Sequence, residues 1–325
     1  MALRKRINPR STPNPDTGFG TNPSSYGGRF LNKDGSYNLI KRGVPFFTRI
    51  SVFQSLIAMP LWAFIGIIML FFIAINFLFA LLYIALGTEH LNGVVSRDFA
   101  GRFSETFFFS AQTLTTVGYG HVSPVGFWTS LTASFEALCG LMTFAIVTGL
   151  VYGRFARPRA YLRFSKHALI APYQEGVGLM FRMVCYKDKH NLIDASVRVN
   201  LGLNIEEQGK QVYKFYALNL ERYRIDTLNM NWTVVHPINE NSPLRGFTTE
   251  DLAHAEAELY VQVSGFDEVF STTVVQKTSY TFDEIIFGAR FVPMYHESAD
   301  QSTTILDVDK LDAYERVHLP PFSDS

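Results

Sequence analysis

Charged side chains vanish from the chain between Leu56 and Leu86, where LIAMPLWAFIGIIMLFFIAINFLFALLYIAL runs for about thirty residues, against the roughly twenty that cross a bilayer as a helix. A second apolar run, Phe127 to Tyr152, holds one charge, Glu136. Both predict membrane spans: an outer helix over 60–86 with Pro60 in its first turn, and an inner helix over 127–155. Between them SETFFFSAQTLT, Ser104 to Thr115, is apolar enough to enter a membrane yet too short to cross it. Its two ends must face the same side, so the pattern predicts a re-entrant helix over 104–115 followed by a loop at 116–120.

Upstream, in PFFTRISVFQSLIAM, residues Phe46, Phe47, Ile50, Phe53 and Ile57 fall on one helical face and Thr48, Ser51 and Ser55 on another. This predicts an amphipathic interfacial helix over 45–59, or an extension of the first span in which Arg49 snorkels. Downstream the period changes. In DASVRVNLGLNI, Ala195, Val197, Val199, Leu201, Leu203 and Ile205 alternate with small or polar residues, the signature of a half-buried strand. GLMFRMVCY, QVYKFYALNL, MNWTVVHPI, ELYVQVSG and FSTTVVQKTSY read similarly, with a short helix at Thr249 to Ala257. Residues 156–325 therefore predict an antiparallel β-sandwich domain. Residues 1–44, rich in Pro, Gly, Ser and Asn, are expected to be largely disordered.

Charge orients these elements. The 325 residues balance 29 basic against 29 acidic side chains, but unevenly. Basic residues crowd the flank before the first span, and Arg154, Arg157, Arg159, Arg163 and Lys166 follow the second, whereas only Arg97 and Arg102 lie between the spans. The positive-inside rule places both termini in the cytoplasm of a multi-pass protein of the cell (inner) membrane. No apolar core follows the N-terminal Arg-Lys-Arg promptly, so no cleavable signal peptide is expected. From His167 onward there are 13 basic and 23 acidic residues, an acidic domain below a basic collar. The collar suits anionic headgroups and the acidity a cation-rich vestibule, although basic flanks and acidic soluble domains are also ordinary. Neither cysteine, Cys139 or Cys185, lies between the spans, which rules out an extracytoplasmic disulfide.

Irregular backbone at membrane depth is tolerated only where it is buried in protein or lines a water-filled path. Residues Thr116, Val117, Gly118, Tyr119 and Gly120 spell TVGYG. Glycines at alternate positions permit successive carbonyls to face one axis, the Thr116 hydroxyl adds an inner oxygen, and the preceding helix points its negative end toward a waiting cation. One loop and two spans cannot enclose a pore, so symmetry must supply further copies of the chain.

TVGYG between two spans, GRFARPRA at Gly153 to Ala160, and WTVVHPINENSPL at Trp232 to Leu244 together resemble inward-rectifier potassium channels of the prokaryotic branch. The resemblance extends from the amphipathic helix to about Phe322. It implies an α+β membrane protein with two transmembrane helices, a re-entrant pore helix and filter loop, and a cytoplasmic immunoglobulin-like β-sandwich. It also implies a potassium-selective homotetramer without a cofactor, in which backbone oxygens of Thr116, Val117, Gly118 and Tyr119 and the Thr116 hydroxyl coordinate permeant K⁺. The same resemblance suggests a voltage-gated channel open to block by Ba²⁺, Mg²⁺ or polyamines, with no nucleic-acid partner.

Further roles follow residue by residue from the same likeness. Arg49, Arg154, Arg157, Arg159 and Lys166 match positions that contact anionic phospholipid or phosphoinositide. Tyr152 matches the bulky residue at the bundle crossing, with Leu141, Phe144 and Thr148 on the same side of the inner helix. Phe144 stands where strongly rectifying relatives carry an acid. Gly140 and Gly149 match bending points, or serve as close-packing positions. Many animal members brace the filter with a Glu on the pore helix and an Arg after GYG; here those positions are Gln112 and Val122. Glu136 is read as a buried partner of the pore helix, through Ser110 or Thr113, or as an ion-binding acid.

Other classes fit less well. The histidines show no tight ligand pair and no nucleophile or phosphate-loop motif stands out, which disfavours an enzyme. A non-conducting or weakly conducting lipid sensor and a two-helix potassium channel with another gating mode are the alternatives.

Overall fold

The hydroxyl of Ser51 accepts the amide hydrogen of Gln54 at 3.4 Å and so opens the first helix among the described residues, α1, at Val52–Ala58. The structure, a computed structural model, describes residues 7–15, 29–43, 45 and 51–320. Arg49 and most of the apolar face expected upstream of Ser51 lie outside the described residues. The chain divides into two compact units, residues 42–157 and a second made of 1–41 with 158–325.

In the first unit α2 runs Leu61–Leu86 with Pro60 at its N-cap, where a missing N–H costs nothing. Asp98 caps the next helix, its carboxylate accepting the Gly101 amide hydrogen at 2.9 Å. That helix, α3, spans Phe99–Leu114 rather than 104–115, because the cap recruits an extra turn ahead of the apolar run. At 1.5 Å per residue it is about 24 Å long, shorter than a hydrocarbon core of about 30 Å. The last helix, α4, covers Phe127–Phe155. A two-residue ribbon pairs Leu91 with Pro124 and Asn92 with Ser123, closing the stretch between α2 and α4. Aromatic edges tie α3 to α2: Tyr83 meets Phe109 at 5.1 Å and Phe77 meets Phe103 at 5.3 Å between ring centroids.

Only 17% of the most apolar window of α2 and 11% of that of α4 is buried. The core helices of a soluble protein would be mostly buried, so these surfaces demand an apolar solvent or further protein. The chain is a membrane protein.

The second unit is a β-sandwich. Strands β1 (Leu162–Phe164), β2 (Ala168–Tyr173), β3 (Gly176–Cys185), β4 (Leu192–Glu207), β5 (Lys210–Ala217), β6 (Arg224–Leu228), β7 (Trp232–Pro237), β8 (Glu258–Asp267), β9 (Thr272–Thr281) and β10 (Ile285–Phe287) form two five-stranded sheets. One has the order β9-β8-β4-β5 with β6 also on β4; the other has β10-β2-β3-β1 with β7 also on β3. The alternating residues Ala195, Val197, Val199, Leu201, Leu203 and Ile205 of β4 all lie in the core, joined by Phe181, Val263 and Tyr280. A six-residue helix, α5 (Thr249–His254), is held by a capping box between Thr248 and Asp251.

Within the N-terminal segment, the described residues 7–15 and 29–43 include ordered contacts where disorder was expected. Phe30 and Leu31 are buried against Tyr213, Phe215 and Tyr260, and their amides donate to the Glu258 carboxylate at 3.1 and 3.3 Å. Asn14 donates its amide to the Phe215 carbonyl at 2.8 Å. A polar, glycine-rich stretch needs few apolar anchors when a buried carboxylate on the sheet satisfies its backbone.

Candidate functional site

The loop after α3 departs from helical bonding in one step. Thr115 still donates to Ala111 at 3.1 Å, but Thr116 turns back to Thr113 at 3.0 Å, and Val117 and Gly118 both reach the Gln112 carbonyl, at 2.9 and 3.3 Å. Gln112 thus supports the loop through its main chain. Positive φ values then recur at every second residue: 61° at Thr116, 54° at Gly118 and 78° at Gly120. A left-handed residue at every second position is a backbone pattern that permits successive carbonyls to face one side. The two glycines adopt this geometry freely, whereas at Thr116 it costs about 1–2 kcal/mol. Tyr119 is 79% exposed and Val117 about half exposed.

Behind the loop lies a polar knot. Asn76, Ser110 and Glu136 are fully buried, as is Tyr83. Tyr83 donates its hydroxyl hydrogen to Glu136 Oε2 at 2.6 Å, and Ser110 Oγ contacts both Glu136 Oε1 and, at 2.9 Å, Asn76 Oδ1. Asn76 in turn donates to the Phe72 carbonyl at 2.7 Å. Glu136 therefore meets α3 through Ser110. Thr113 is not its partner, since that hydroxyl donates to Phe109 O one turn back. Sequence reasoning did not place Asn76 or Tyr83 in this group. Their signal was present: each interrupts a charge-free span with a hydrogen-bonding side chain.

Along α4 the residues Leu141, Phe144, Thr148 and Tyr152 are all exposed, with Phe144 and Tyr152 each at 74%. They share one side, separated from Glu136. The two glycines behave differently. A methyl group on Gly140 would collide with the main chain of Leu114, whereas a methyl on Gly149 would meet nothing within 4 Å beyond its own helix backbone. Gly140 is a close-packing position; Gly149 is not.

The basic residues also separate. Arg154 folds onto the end of α1, its guanidinium donating to the carbonyls of Leu56 at 3.4 Å, Ile57 at 3.2 Å and Met59 at 2.5 Å, over the Phe64 ring. Cations suit the negative end of a helix, and three otherwise orphaned carbonyls find a donor here. Arg157 and Arg159 are exposed. Arg157 joins Phe53, Gln54, Ile57, Ala58 and Gly153 around a cavity of about 400 Å³. Lys166 is exposed too, beside Asp312 at 3.6 Å.

In the motif WTVVHPINENSPL, His236 is buried with Nδ1 at 2.6 Å from the Asn219 carbonyl and Nε2 at 2.8 Å from Ser242 Oγ. Burial holds its pKa below the ordinary imidazole value, against the smaller opposing effect of the Asn219 carbonyl. It pins the turn after β7. Burial also pushes the Cys185 thiol up to about 11, which leaves it inert.

Residues 162–325 match the inward rectifier potassium channel C-terminal domain, and residues 67–156 match a model described as ion channel. The inward rectifier potassium channel Kirbac3.1 of Paramagnetospirillum magnetotacticum is 34% identical over 278 residues, covering 85% of this chain and 92% of its own. ATP-sensitive inward rectifier potassium channel 12 of Gallus gallus is 29% identical over 61% of this chain and 48% of its own, so the chain spans about half the length of that relative. Among solved structures, the sporulation control protein Spo0M from Bacillus subtilis aligns at 9% identity over 42% of this chain and 58% of its own with a TM-score of 0.24, too loose a superposition to bear on the fold. The matched relatives are ion channels, not enzymes.

The expectation of voltage gating does not hold. Inward rectifiers are not voltage-gated, and α2 carries no charged residue while α4 carries only Glu136 and, at its end, Arg154. Neither span holds the row of basic side chains that senses voltage.

Proposed function

The chain belongs to the inward-rectifier potassium channel family, and from that premise we propose that it forms a homotetrameric, potassium-selective pore with both termini in the cytoplasm, regulated by anionic lipids and by the cytoplasmic β-sandwich. One observation carries the reading: left-handed residues at every second position of TVGYG, at the end of a helix too short to span a bilayer. Four such strands around an axis would stack rings of carbonyl oxygens able to replace the hydration shell of K⁺, with Thr116 hydroxyls as the innermost ring. The exposed side of α4 bearing Leu141, Phe144, Thr148 and Tyr152 would line the cavity, with Tyr152 at its cytoplasmic constriction. Arg157 and Arg159 are exposed and able to present charge to lipid phosphates, Lys166 would do so from beside Asp312, and Arg154 braces α1 against α4.

Purified protein in liposomes tests this reading directly. Rubidium uptake should exceed sodium uptake, be blocked by Ba²⁺ and respond to phosphoinositide in the membrane. Gly118→Ala should abolish uptake, because a side chain at φ 54° strains the backbone and unsettles the carbonyl row. Equal sodium and rubidium entry would overturn potassium selectivity, and no entry at all would favour a non-conducting lipid sensor.

A further inference from the structure

The knot behind the loop holds more hydrogen-bond contacts than an ionised carboxylate allows. Ser110 has one hydroxyl hydrogen yet stands against two oxygens, Asn76 Oδ1 and Glu136 Oε1. Turning the Asn76 amide over does not help, because its nitrogen is needed by the Phe72 carbonyl at 2.7 Å and an oxygen placed there would face another oxygen. Tyr83 spends its single hydrogen on Glu136 Oε2. The three oxygen-to-oxygen contacts thus have two hydrogens between them as long as Glu136 is a carboxylate. A third hydrogen is missing.

We propose that Glu136 is a neutral carboxylic acid whose Oε1 proton starts a relay, Glu136 to Ser110 to Asn76, that positions α3 behind the filter loop. With that proton every contact is satisfied: Oε1–H donates to Ser110 Oγ, Ser110 donates to Asn76 Oδ1, Asn76 donates to Phe72 O, and Tyr83 donates to Oε2. All four side chains are fully buried, and among the described residues no lysine, arginine or histidine forms an ion pair with Glu136. An unpaired buried carboxylate is far costlier than a buried acid with its hydrogen bonds made. The relay joins α2, α3 and α4 at one point, and Ser110 sits two residues before Gln112, whose carbonyl receives the Val117 and Gly118 amides. Glu136 is thus a positioning residue: it reaches the loop only through α3.

Infrared difference spectroscopy of the full chain, wild type minus Glu136→Gln, reads the proton itself. A carboxylic-acid C=O band in the wild type that disappears in the variant is expected at neutral pH; a difference spectrum holding only carboxylate bands overturns the proposal. Should Glu136→Gln fail to fold, Ser110→Ala serves instead, because removing the acceptor of the acid O–H must shift that band, and an unmoved band is equally fatal. Positioning is read by the rubidium-to-sodium uptake ratio, which rests on the channel reading. Glutamine can donate to Ser110 and accept from Tyr83 as the acid does, whereas leucine can do neither, so Glu136→Leu should lower the ratio about tenfold more than Glu136→Gln. Equal losses would remove the positioning role. The infrared measurement needs no conduction, so a wild type that shows the band but passes no rubidium overturns the channel reading and not the proton.

Discussion

The main-chain carbonyl of Leu114 lies so near Gly140 that a Cβ on that glycine would stand 1.9 Å from the oxygen. Leu114 is the last residue of α3, two positions before Thr116, so this approach sets how closely the end of α3 can pack on α4. A side chain at 140 forces the two helices apart just where the loop begins.

Gly140→Ala is therefore expected to destabilise the assembled protein by roughly 1–3 kcal/mol through overpacking, and to lower rubidium uptake. Gly149→Ala meets open space, so thermal unfolding should be unchanged or raised slightly, as for alanine replacing a helical glycine. If bending at Gly149 accompanies opening, its uptake falls while its stability does not. Equal destabilisation at both sites would contradict the packing difference.

Arg154 and its basic neighbours should separate by assay. Arg154→Ala leaves the carbonyls of Leu56, Ile57 and Met59 without their donor, a loss of about 1–3 kcal/mol visible as a lower unfolding temperature in lipid-free detergent. Arg157→Ala and Arg159→Ala should leave that temperature nearly unchanged but weaken the phosphoinositide response, at about 1 kcal/mol per charge near an anionic surface. A lipid dose-response unaltered by the latter pair would reduce the collar to a topology signal.

Phe144→Asp should strengthen voltage-dependent block by internal spermine. The side chain is 74% exposed in the single chain, and four carboxylates around a narrow cavity would attract a multivalent cation by several kcal/mol where phenylalanine rings offer weak cation–π attraction. The readout is the ratio of outward to inward current. A mutant that conducts with that ratio unchanged would show that residue 144 does not face the permeation path.

Acid should loosen the turn pinned by His236. Its folded-state pKa is depressed by burial, so above the unfolded value of about 6.5 both states are neutral and the residue adds no pH dependence. As pH falls below that value the unfolded chain takes up a proton that the native state resists, and stability declines until the depressed folded pKa is passed. The unfolding temperature of the wild type should drop between neutral and acidic pH more steeply than that of His236→Gln. Parallel pH profiles would rule out His236 as a source of the acid sensitivity.

Much of the architecture is written in local periodicity. The charge-free run near α2, the single acid in α4 and the strict alternation from Ala195 to Ile205 each state their environment residue by residue, because a bilayer and a sandwich core both select apolar side chains at fixed spacing. The short strands β1, β6 and β10 were not legible, since three to five residues carry too little pattern to distinguish strand from turn. Nor was the docking of Phe30 and Leu31, whose anchor, Glu258, lies more than 220 residues away in the chain.

By itself, then, the sequence determined the two spans, the short apolar helix between them, the TVGYG loop and the β-rich domain, all of which follow from side-chain chemistry repeated along a short stretch. Only the tertiary structure decided which partners meet: that Glu136 takes Ser110 and Tyr83 rather than Thr113, that Arg154 caps α1, and that Gly140 is a point of contact while Gly149 is not. Those outcomes depend on where three helices cross, a geometry set by packing between segments distant in the chain, and no local pattern encodes it.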